Sequence, residues 1–208
     1  MEQEGLFRGF FIVIFVATFS ISGYFRRKAR RSGEVISRVR EGKLNLLLRL
    51  LFAAPLYLSF FAYMAAPGWM GWSSVSLPIW LRWFGVAVGF GMLPVLYWVM
   101  STLGKNISET VLTKEDHKLV THGPYRWVRH PLYSVATVIF VLLGVLAANW
   151  FIMVMALLII IGMALVVIPK EEAQLTEKFG AEYHEYKKRT GRLAPRLDRF
   201  VVRSPRTE

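Results

Sequence analysis

The stretch that decides the fold is LYSVATVIFVLLGVLAANWFIMVMALLIIIGMALVVI, 37 residues without a charged side chain from Leu132 to Ile168. As one helix it would be about 55 Å long, against a bilayer hydrocarbon core of about 30 Å. That is too long for a single membrane span. The polar Asn149, between Ala148 and Trp150, divides the stretch into two spans of roughly 17–18 residues, enough to cross a membrane. We therefore predict a tight hairpin of two transmembrane helices.

The composition of the whole chain is also that of a membrane protein. Of its 208 residues, 54% are hydrophobic and 19% are charged, whereas soluble domains are about 45–50% apolar and about 25% charged. The chain contains no Cys, which excludes disulfides and thiolate metal sites. We predict an all-α, multi-pass membrane protein with a cytoplasmic C-terminal helix. Its five transmembrane helices are expected at about 6–25, 44–66, 79–101, 132–148 and 150–168.

The orientation follows from the basic residues. Residues 26–43 contain eight Lys or Arg, residues 105–129 contain five and residues 170–206 contain ten, while residues 67–78 and 148–150 contain none. Basic loops stay on the cytoplasmic side. The N-terminus is therefore expected outside and the C-terminus inside, which in a bacterium would place the chain in the plasma or inner membrane. Residues 1–5 are acidic, unlike the start of a cleaved signal peptide, so the first helix should remain as an anchor.

The net charge of +12 would suit a nucleic-acid-binding protein. However, 23 of the 26 basic residues lie in the three basic segments, where membrane topology and anionic headgroups already favour them. We therefore expect membrane lipids, and no nucleic acid, as partners. The other three basic residues lie near helix ends, where a long side chain can extend to the interface. They are Arg8, Arg49 and Arg82.

The basic loop at residues 103–131 is longer than a simple connector needs to be, and it contains several residues with specific structural preferences. Gly123 and Pro124 indicate a turn. Pro131 suits the first turn of the fourth helix and favours extended backbone at His130. Arg129 and His130 therefore stand at a helix N-terminus, where free N–H groups and the helix dipole favour an anion. This arrangement predicts a carboxylate or phosphate receptor.

This loop has two other interpretations. Arg129 could simply anchor the helix at the headgroups, with an interfacial belt of aromatic side chains beside it, and composition alone does not decide between this and a ligand site. The belt would be formed by Tyr125, Trp127 and Tyr133. The histidines at 117, 122 and 130 could suggest zinc, but their spacings of five and eight place no pair on one helical turn. We expect no metal.

A second cytoplasmic segment, residues 170–189, has the pattern of an amphipathic helix. At about 100° per residue, a carboxylate and several apolar side chains lie within one arc of roughly 120° on the helix surface. They are Glu171, Leu175, Phe179, Tyr183 and Tyr186, with Glu172 in the same arc. Carboxylates at this depth need partners. An exposed charge pair is the simpler alternative, but the basic loop opposite favours a ligand role. Gly180 weakens the helix, so the arc could break there.

These motifs together carry a resemblance to a known family. LVTHGPYRWVRHPLY at 119–133 is followed, after 37 residues, by EEAQLTEKFGAEYHEYK at 171–187. The pair resembles the isoprenylcysteine carboxyl methyltransferase family, and phospholipid N-methyltransferases share the broad pattern. The resemblance implies an S-adenosylmethionine-dependent methyltransferase without a Rossmann domain, consistent with the lack of a Gly-x-Gly-x-x-Gly motif after any plausible strand. It implies three parts: N-terminal helices at 1–100, a catalytic cofactor-binding region at 101–195 and a basic tail at 196–208.

The resemblance also implies the site residues. The cofactor contacts would be His117, Leu119, Val120, Tyr125, His130, Tyr133, Glu171 and Glu172. Glu171 and Arg129 would be the catalytic pair. The carboxylate of S-adenosylmethionine would bind at Arg129 and His130, and its ammonium would bind a carboxylate such as Glu171 or Glu172.

The acceptor is implied to be a lipophilic or prenylated molecule at the cytoplasmic membrane face, reacting through a carboxylate, amine or thiol. Eukaryotic members of the family carry a substrate-binding arginine four residues before the acid that aligns with Glu171, and Val167 occupies that position here. A valine cannot replace the bidentate guanidinium clamp. Two other functions are consistent with the sequence: an NADPH-dependent reductase of the sterol-reductase type, and a non-catalytic membrane scaffold.

Overall fold

The structure is a computed structural model that describes residues 2–31, 43–107 and 118–196. Within these ranges the chain is helical, and its extended residues form only two isolated bridges. The helices are α1 (Glu2–Arg31), α2 (Lys43–Ala65), α3 (Ile79–Leu103), α4 (Pro131–Leu146), α5 (Trp150–Gly162) and α6 (Ile168–Arg189). The predicted all-α class is confirmed. α1 begins earlier and ends later than predicted, because its helix continues past the apolar residues on which the prediction rested.

The helices pack through large apolar side chains and two close glycine contacts. α3 packs against α1 and α4, α4 packs against α5, and α2 packs against α5. A Cβ at Gly85 would lie 2.7 Å from a side-chain atom of Leu146, and one at Gly89 would lie 2.8 Å from Ile14. Both distances are shorter than any van der Waals contact, so the small-residue pair on α3 brings helices together within one chain.

The predicted hairpin at Asn149 is confirmed. Asn149 is the N-cap of α5: its side-chain oxygen accepts a hydrogen bond from the Ile152 N–H at 3.1 Å. Its amide group donates to the Ser73 hydroxyl at 2.7 Å and to the Met70 carbonyl at 3.3 Å. The short 3₁₀ segment Pro67–Ser73, which follows α2, is thereby tied to the hairpin. The two uncharged loops lie at the same end of the helix bundle, here called the hairpin end.

The fifth predicted helix does not end at residue 168. α5 continues through a π-helical segment, Met163–Val167, directly into α6. Pro169 has no N–H, and its ring crowds the carbonyl four residues earlier. The wider π turn just before the proline accommodates both constraints and lets the helix continue. The break occurs instead at Gly180, whose φ of 50° interrupts the helical backbone, as its low helix propensity suggested.

Arg82 corrects one expectation. Arg82 is 5% exposed, so its side chain is buried among the helices and not extended into solvent. The guanidinium donates to both carboxylate oxygens of Glu4, at 2.5 and 2.9 Å, and to the Leu146 carbonyl. Burial is tolerated because a carboxylate and a free helix-end carbonyl lie within reach. Arg8 likewise donates to carbonyls at the end of α2. The side chain of Arg49 lies outside the described residues.

Within the part of the chain that the structure describes, three helices are long and apolar enough to cross a membrane by length and composition, and two shorter helices are also apolar. The long helices are Glu2–Arg31, Ile79–Asn106 and Trp150–Arg189, and the shorter ones are Ala53–Ala65 and Pro131–Leu146. These findings agree with a multi-pass membrane protein. The count of five crossings and the orientation stay predictions.

Single cysteines test the predicted topology, since the natural chain has none. A cysteine at Ser74, at the hairpin end, is expected to react with a membrane-impermeant maleimide added to intact cells. A cysteine at Lys188, near the end of α6, should react only after the cells are opened. Both positions are exposed. Labelling of both from the same side would contradict the five-helix arrangement.

Candidate functional site

The candidate site forms where three parts of the chain meet at the end of the bundle opposite the hairpin. Residues 127–130 run beside residues 190–193, which follow α6. The Arg129 N–H donates to the Gly191 carbonyl at 2.8 Å, and the His130 N–H donates to the Arg192 carbonyl at 3.1 Å. The Ser134 hydroxyl donates to the Leu193 carbonyl at 2.6 Å. The start of α4 is therefore fixed against the end of α6.

Glu172 is the centre of this junction. It is 8% exposed. Arg129 donates to its Oε1 at 2.9 Å, and His130 Nε2 lies 3.3 Å from the same oxygen. Lys187 Nζ lies 3.4 Å from Oε2, and Arg192 Nε lies 3.9 Å from Oε1. Four cationic side chains thus surround one buried carboxylate, and Arg129 also donates to the carbonyls of Lys187 and Thr190.

Glu171 has fewer partners and more exposure. The Tyr133 hydroxyl donates to its Oε1 at 2.5 Å, and His130 Nδ1 lies 3.5 Å from Oε2. Its side chain is 21% exposed, compared with 11% for that of Glu172. The rings of His130 and Tyr133 stack with centroids 5.9 Å apart. Glu171 therefore combines a fixed orientation with an accessible edge.

His130 bridges the two carboxylates with its two ring nitrogens, which only the doubly protonated imidazolium can do as a donor to both. Burial lowers the pKa of His130, but hydrogen bonds to Glu171 and Glu172 and their negative charges outweigh it, so that the pKa lies above its ordinary 6.5. Burial also acts against the charged form of Glu172. Hydrogen bonds from His130 and Arg129, with their positive charges, nevertheless lower the pKa of Glu172 from 4.5 to about 2.

The structure brings together Arg129, His130, Tyr133, Glu171 and Glu172 from the predicted set. Tyr125 is buried, and its carbonyl accepts a hydrogen bond from the Tyr186 hydroxyl at 2.7 Å. Leu119 and Val120 are partly buried, and Val120 packs against the hydrophobic core. The prediction for His117 lies outside the described residues.

Three further residues of this region did not figure among the predicted contacts. Lys187 and Arg192 face Glu172, and Tyr183 is completely buried on the same helix. The Tyr183 hydroxyl and the Arg192 Nε are buried without a hydrogen-bond partner among the described residues. The Tyr183 position on the apolar arc of α6 was visible in the sequence. Arg192 lies beyond the helix, where no periodic pattern marks it.

The charged junction predicts how stability depends on pH. The raised pKa of His130 means that its contribution is complete below about 6.5 and is lost as the pH rises through the folded value. The lowered pKa of Glu172 means that its contribution is complete above about 4.5 and is lost as the pH falls toward 2. Stability from this pair should therefore be greatest between about pH 4.5 and 6.5.

Thermal unfolding of the detergent-solubilised protein from pH 3 to 9 measures this dependence. Glu172→Gln should remove most of the loss on the acidic side, and His130→Asn most of the loss on the alkaline side. If both variants kept the pH profile of the natural protein, the pair would not be the titrating element.

Comparisons with known proteins agree on one family. The model of the isoprenylcysteine carboxyl methyltransferase family matches residues 84–177. Protein-S-isoprenylcysteine O-methyltransferase of Saccharomyces cerevisiae is 35% identical over 106 residues, which cover 44% of this chain and 39% of the yeast protein. A probable protein-S-isoprenylcysteine O-methyltransferase of Oryza sativa subsp. indica is 36% identical over 87 residues, which cover 41% of this chain and 46% of the rice protein. The matched segments thus span less than half of these relatives.

A solved structure shows the fold. A eukaryotic intramembrane Ras methyltransferase, an isoprenylcysteine carboxyl methyltransferase, superposes with a TM-score of 0.54 at 21% identity, covering 89% of this chain and 67% of that one. The similarity extends beyond the matched motifs into the N-terminal helices. The matched region contains Arg129, His130, Glu171 and Glu172 and lies within a chain of the same fold. Residues 84–177 are thus similar to the isoprenylcysteine carboxyl methyltransferase family, and the chain shares the fold of a solved member of it.

Proposed function

We propose that this protein is an integral membrane methyltransferase that transfers a methyl group from S-adenosylmethionine to a lipophilic acceptor at the cytoplasmic membrane face. The observation that carries the proposal is Glu171, a partly exposed carboxylate held by Tyr133 and His130 in the region that matches the family. The names of the relatives support methyl transfer as the reaction class.

The residues around Glu171 suit the donor. S-adenosylmethionine supplies an activated methyl group and carries an ammonium and a carboxylate at one end. Glu171 presents an anionic edge for the ammonium. Arg192 Nε, buried and without a hydrogen-bond partner among the described residues, is an available donor for a carboxylate, and the Tyr183 hydroxyl is a second unused polar atom nearby. The aromatic ring of Tyr133 suits the sulfonium.

Glu171 and Glu172 are therefore assigned different roles. Glu172 is enclosed by the four basic side chains and fixes the start of α4 against the end of α6. Arg129 donates to this carboxylate and to the carbonyls of Lys187 and Thr190, and His130 contacts both acids, so we assign them mainly the positioning of the junction. Glu171 is the residue that contacts the donor.

Methyl transfer needs alignment of the acceptor with the methyl carbon and exclusion of water. A carboxylate acceptor is already ionised at neutral pH and needs no base, whereas an amine or thiol must first lose its proton. For such an acceptor we assign the proton to Glu171, the more exposed of the two carboxylates. His130 as an imidazolium cannot accept one.

The position of Val167 limits the acceptor. Val167 is the last residue of the π-helical segment, one turn before Glu171, and is partly buried. A valine there provides neither charge nor a hydrogen-bond donor. We propose that the acceptor is a neutral or cationic lipophilic molecule, such as a lipid amine or an alkyl thiol, in preference to a prenylcysteine carboxylate.

Substitution of Glu171 is expected to affect cofactor binding, and substitution of Glu172 is expected to affect stability. Glu171→Gln should weaken binding of S-adenosylhomocysteine roughly tenfold to a hundredfold with little change in stability, since it removes a charge-assisted hydrogen bond. Glu172→Gln should lower the free energy of unfolding by about 3 kcal/mol, because it leaves buried cations without their anion. Calorimetric titration in detergent measures the first effect and chemical unfolding the second.

Glu182→Gln is the matched control, because Glu182 is exposed on the same helix. It should change neither quantity. Unchanged S-adenosylhomocysteine affinity in Glu171→Gln would refute the assigned role of Glu171. Tight binding of NADPH with no binding of S-adenosylhomocysteine would instead favour a reductase.

The acceptor prediction is tested with labelled S-adenosylmethionine and three acceptors: a prenylcysteine, phosphatidylethanolamine and an alkyl thiol. Turnover of the prenylcysteine should be the slowest, and Val167→Arg should raise it because the guanidinium restores a bidentate partner for the carboxylate. Val166→Arg, one residue away on the π-helical segment, serves as the control. Efficient methylation of the prenylcysteine that Val167→Arg does not improve would show that this position does not select the acceptor.

A further inference from the structure

A groove along α1 remains unexplained by the proposed reaction. It has a volume of about 970 Å³. Its apolar part is lined by Phe15, Val16 and Phe19, and its polar part by basic side chains. The described lining residues all belong to α1: Phe15, Val16, Phe19, Ser20, Gly23, Tyr24, Arg27, Lys28 and Arg31.

The order of these residues along α1 matches the depth profile of one lipid leaflet. From Phe15 to Gly23 the helix rises about 12 Å, close to the roughly 15 Å of half a hydrocarbon core. Tyr24 follows and is 57% exposed. Tyrosines are enriched at the level of the headgroups. From Tyr24 to Arg31 the helix rises a further ~10 Å, enough to carry the basic side chains through a headgroup layer of about 5–8 Å.

Arg27 and Arg31 give the polar end a specific geometry. They are four residues apart, so they lie on one side of α1, where like charges repel each other. Among the described residues, no carboxylate forms an ion pair with either of them. An anion placed between them would relieve the repulsion and accept hydrogen bonds from both guanidinium groups.

We propose that this groove binds one anionic phospholipid. Its acyl chain lies along Phe15, Val16 and Phe19, and its phosphate is held by Arg27 and Arg31. The site is separate from the Glu171 site, and the proposal does not depend on the methyltransferase reaction. Basic residues beside a membrane helix are expected from topology alone, whereas a groove that combines them with an apolar channel of leaflet length is the arrangement that binds a lipid.

Two pairs of variants test the two parts of the site. Arg27→Gln with Arg31→Gln removes two charges that line the groove, and Arg26→Gln with Arg30→Gln removes two charges from the same basic stretch that are not among its described lining residues. Gly23→Leu fills the groove, since a Cβ at Gly23 meets no atom within 4 Å. Gly9→Leu is its control, because Gly9 on the same helix has equal space but does not line the groove.

The full-length protein is exchanged into detergent with phosphatidylglycerol or phosphatidylcholine of identical acyl chains, and bound lipid is counted by native mass spectrometry. The natural protein should retain one phosphatidylglycerol in preference to phosphatidylcholine. The Arg27 and Arg31 double variant should lose this preference. Its affinity for phosphatidylglycerol should be about thirtyfold lower, because each basic residue near the membrane surface increases the affinity about fivefold. Gly23→Leu should reduce binding of both lipids, and the two controls should bind as the natural protein does.

Three results would overturn the proposal. Equal losses in the two arginine double variants would indicate a diffuse attraction to the basic stretch. Unchanged binding in Gly23→Leu would show that the acyl chain does not occupy the groove. Displacement of the lipid by millimolar glycerol phosphate alone would identify a soluble phosphate, not a lipid, as the occupant.

Discussion

The candidate site depends on the neutralisation of one buried carboxylate, that of Glu172. Transfer of an ion from water to a protein interior is unfavourable unless its partners replace the hydration. Here those partners come from two elements far apart in the sequence, Arg129 and His130 before α4, and Lys187 and Arg192 at and after the end of α6. Because each cation reaches the same carboxylate, their positions are coupled. The backbone bridge between residues 127–130 and 190–193 then follows.

In this arrangement two adjacent acids have different surroundings: Glu172 is enclosed by cations, and Glu171 is partly exposed. Successive positions of a helix point about 100° apart. Glu172 therefore faces the basic side chains, while Glu171 faces Tyr133 and retains an exposed edge. His130 contacts both acids, so the position of Glu171 is tied to that of Glu172. An acid that is held in place but not enclosed suits the recognition of a cationic group in a ligand.

The sequence predicted much of this because its signals are local. The uncharged stretch and Asn149 indicated the hairpin, and helical periodicity placed Glu171, Glu172 and Tyr183 on one face. It also predicted an anion receptor at Arg129 and His130, but the anion they contact in the structure is Glu172, 42 residues from His130. Such a pairing depends on how α4 and α6 meet, which periodicity does not encode. Arg192 has no periodic pattern around it, and the burial of Arg82 depends on Glu4 from another helix.

The π-helical segment before Pro169 affects the site through its residue count. A π turn contains one residue more than an α turn, and every following side chain is turned by about 100° relative to an uninterrupted helix. If Met163–Val167 became a regular α-helix with the same number of residues, Glu171 would be directed away from His130 and Tyr133, although no site residue had changed. Residue count and helix type in this region are therefore constrained together. A relative that forms a regular helix here would need one residue fewer before its acid.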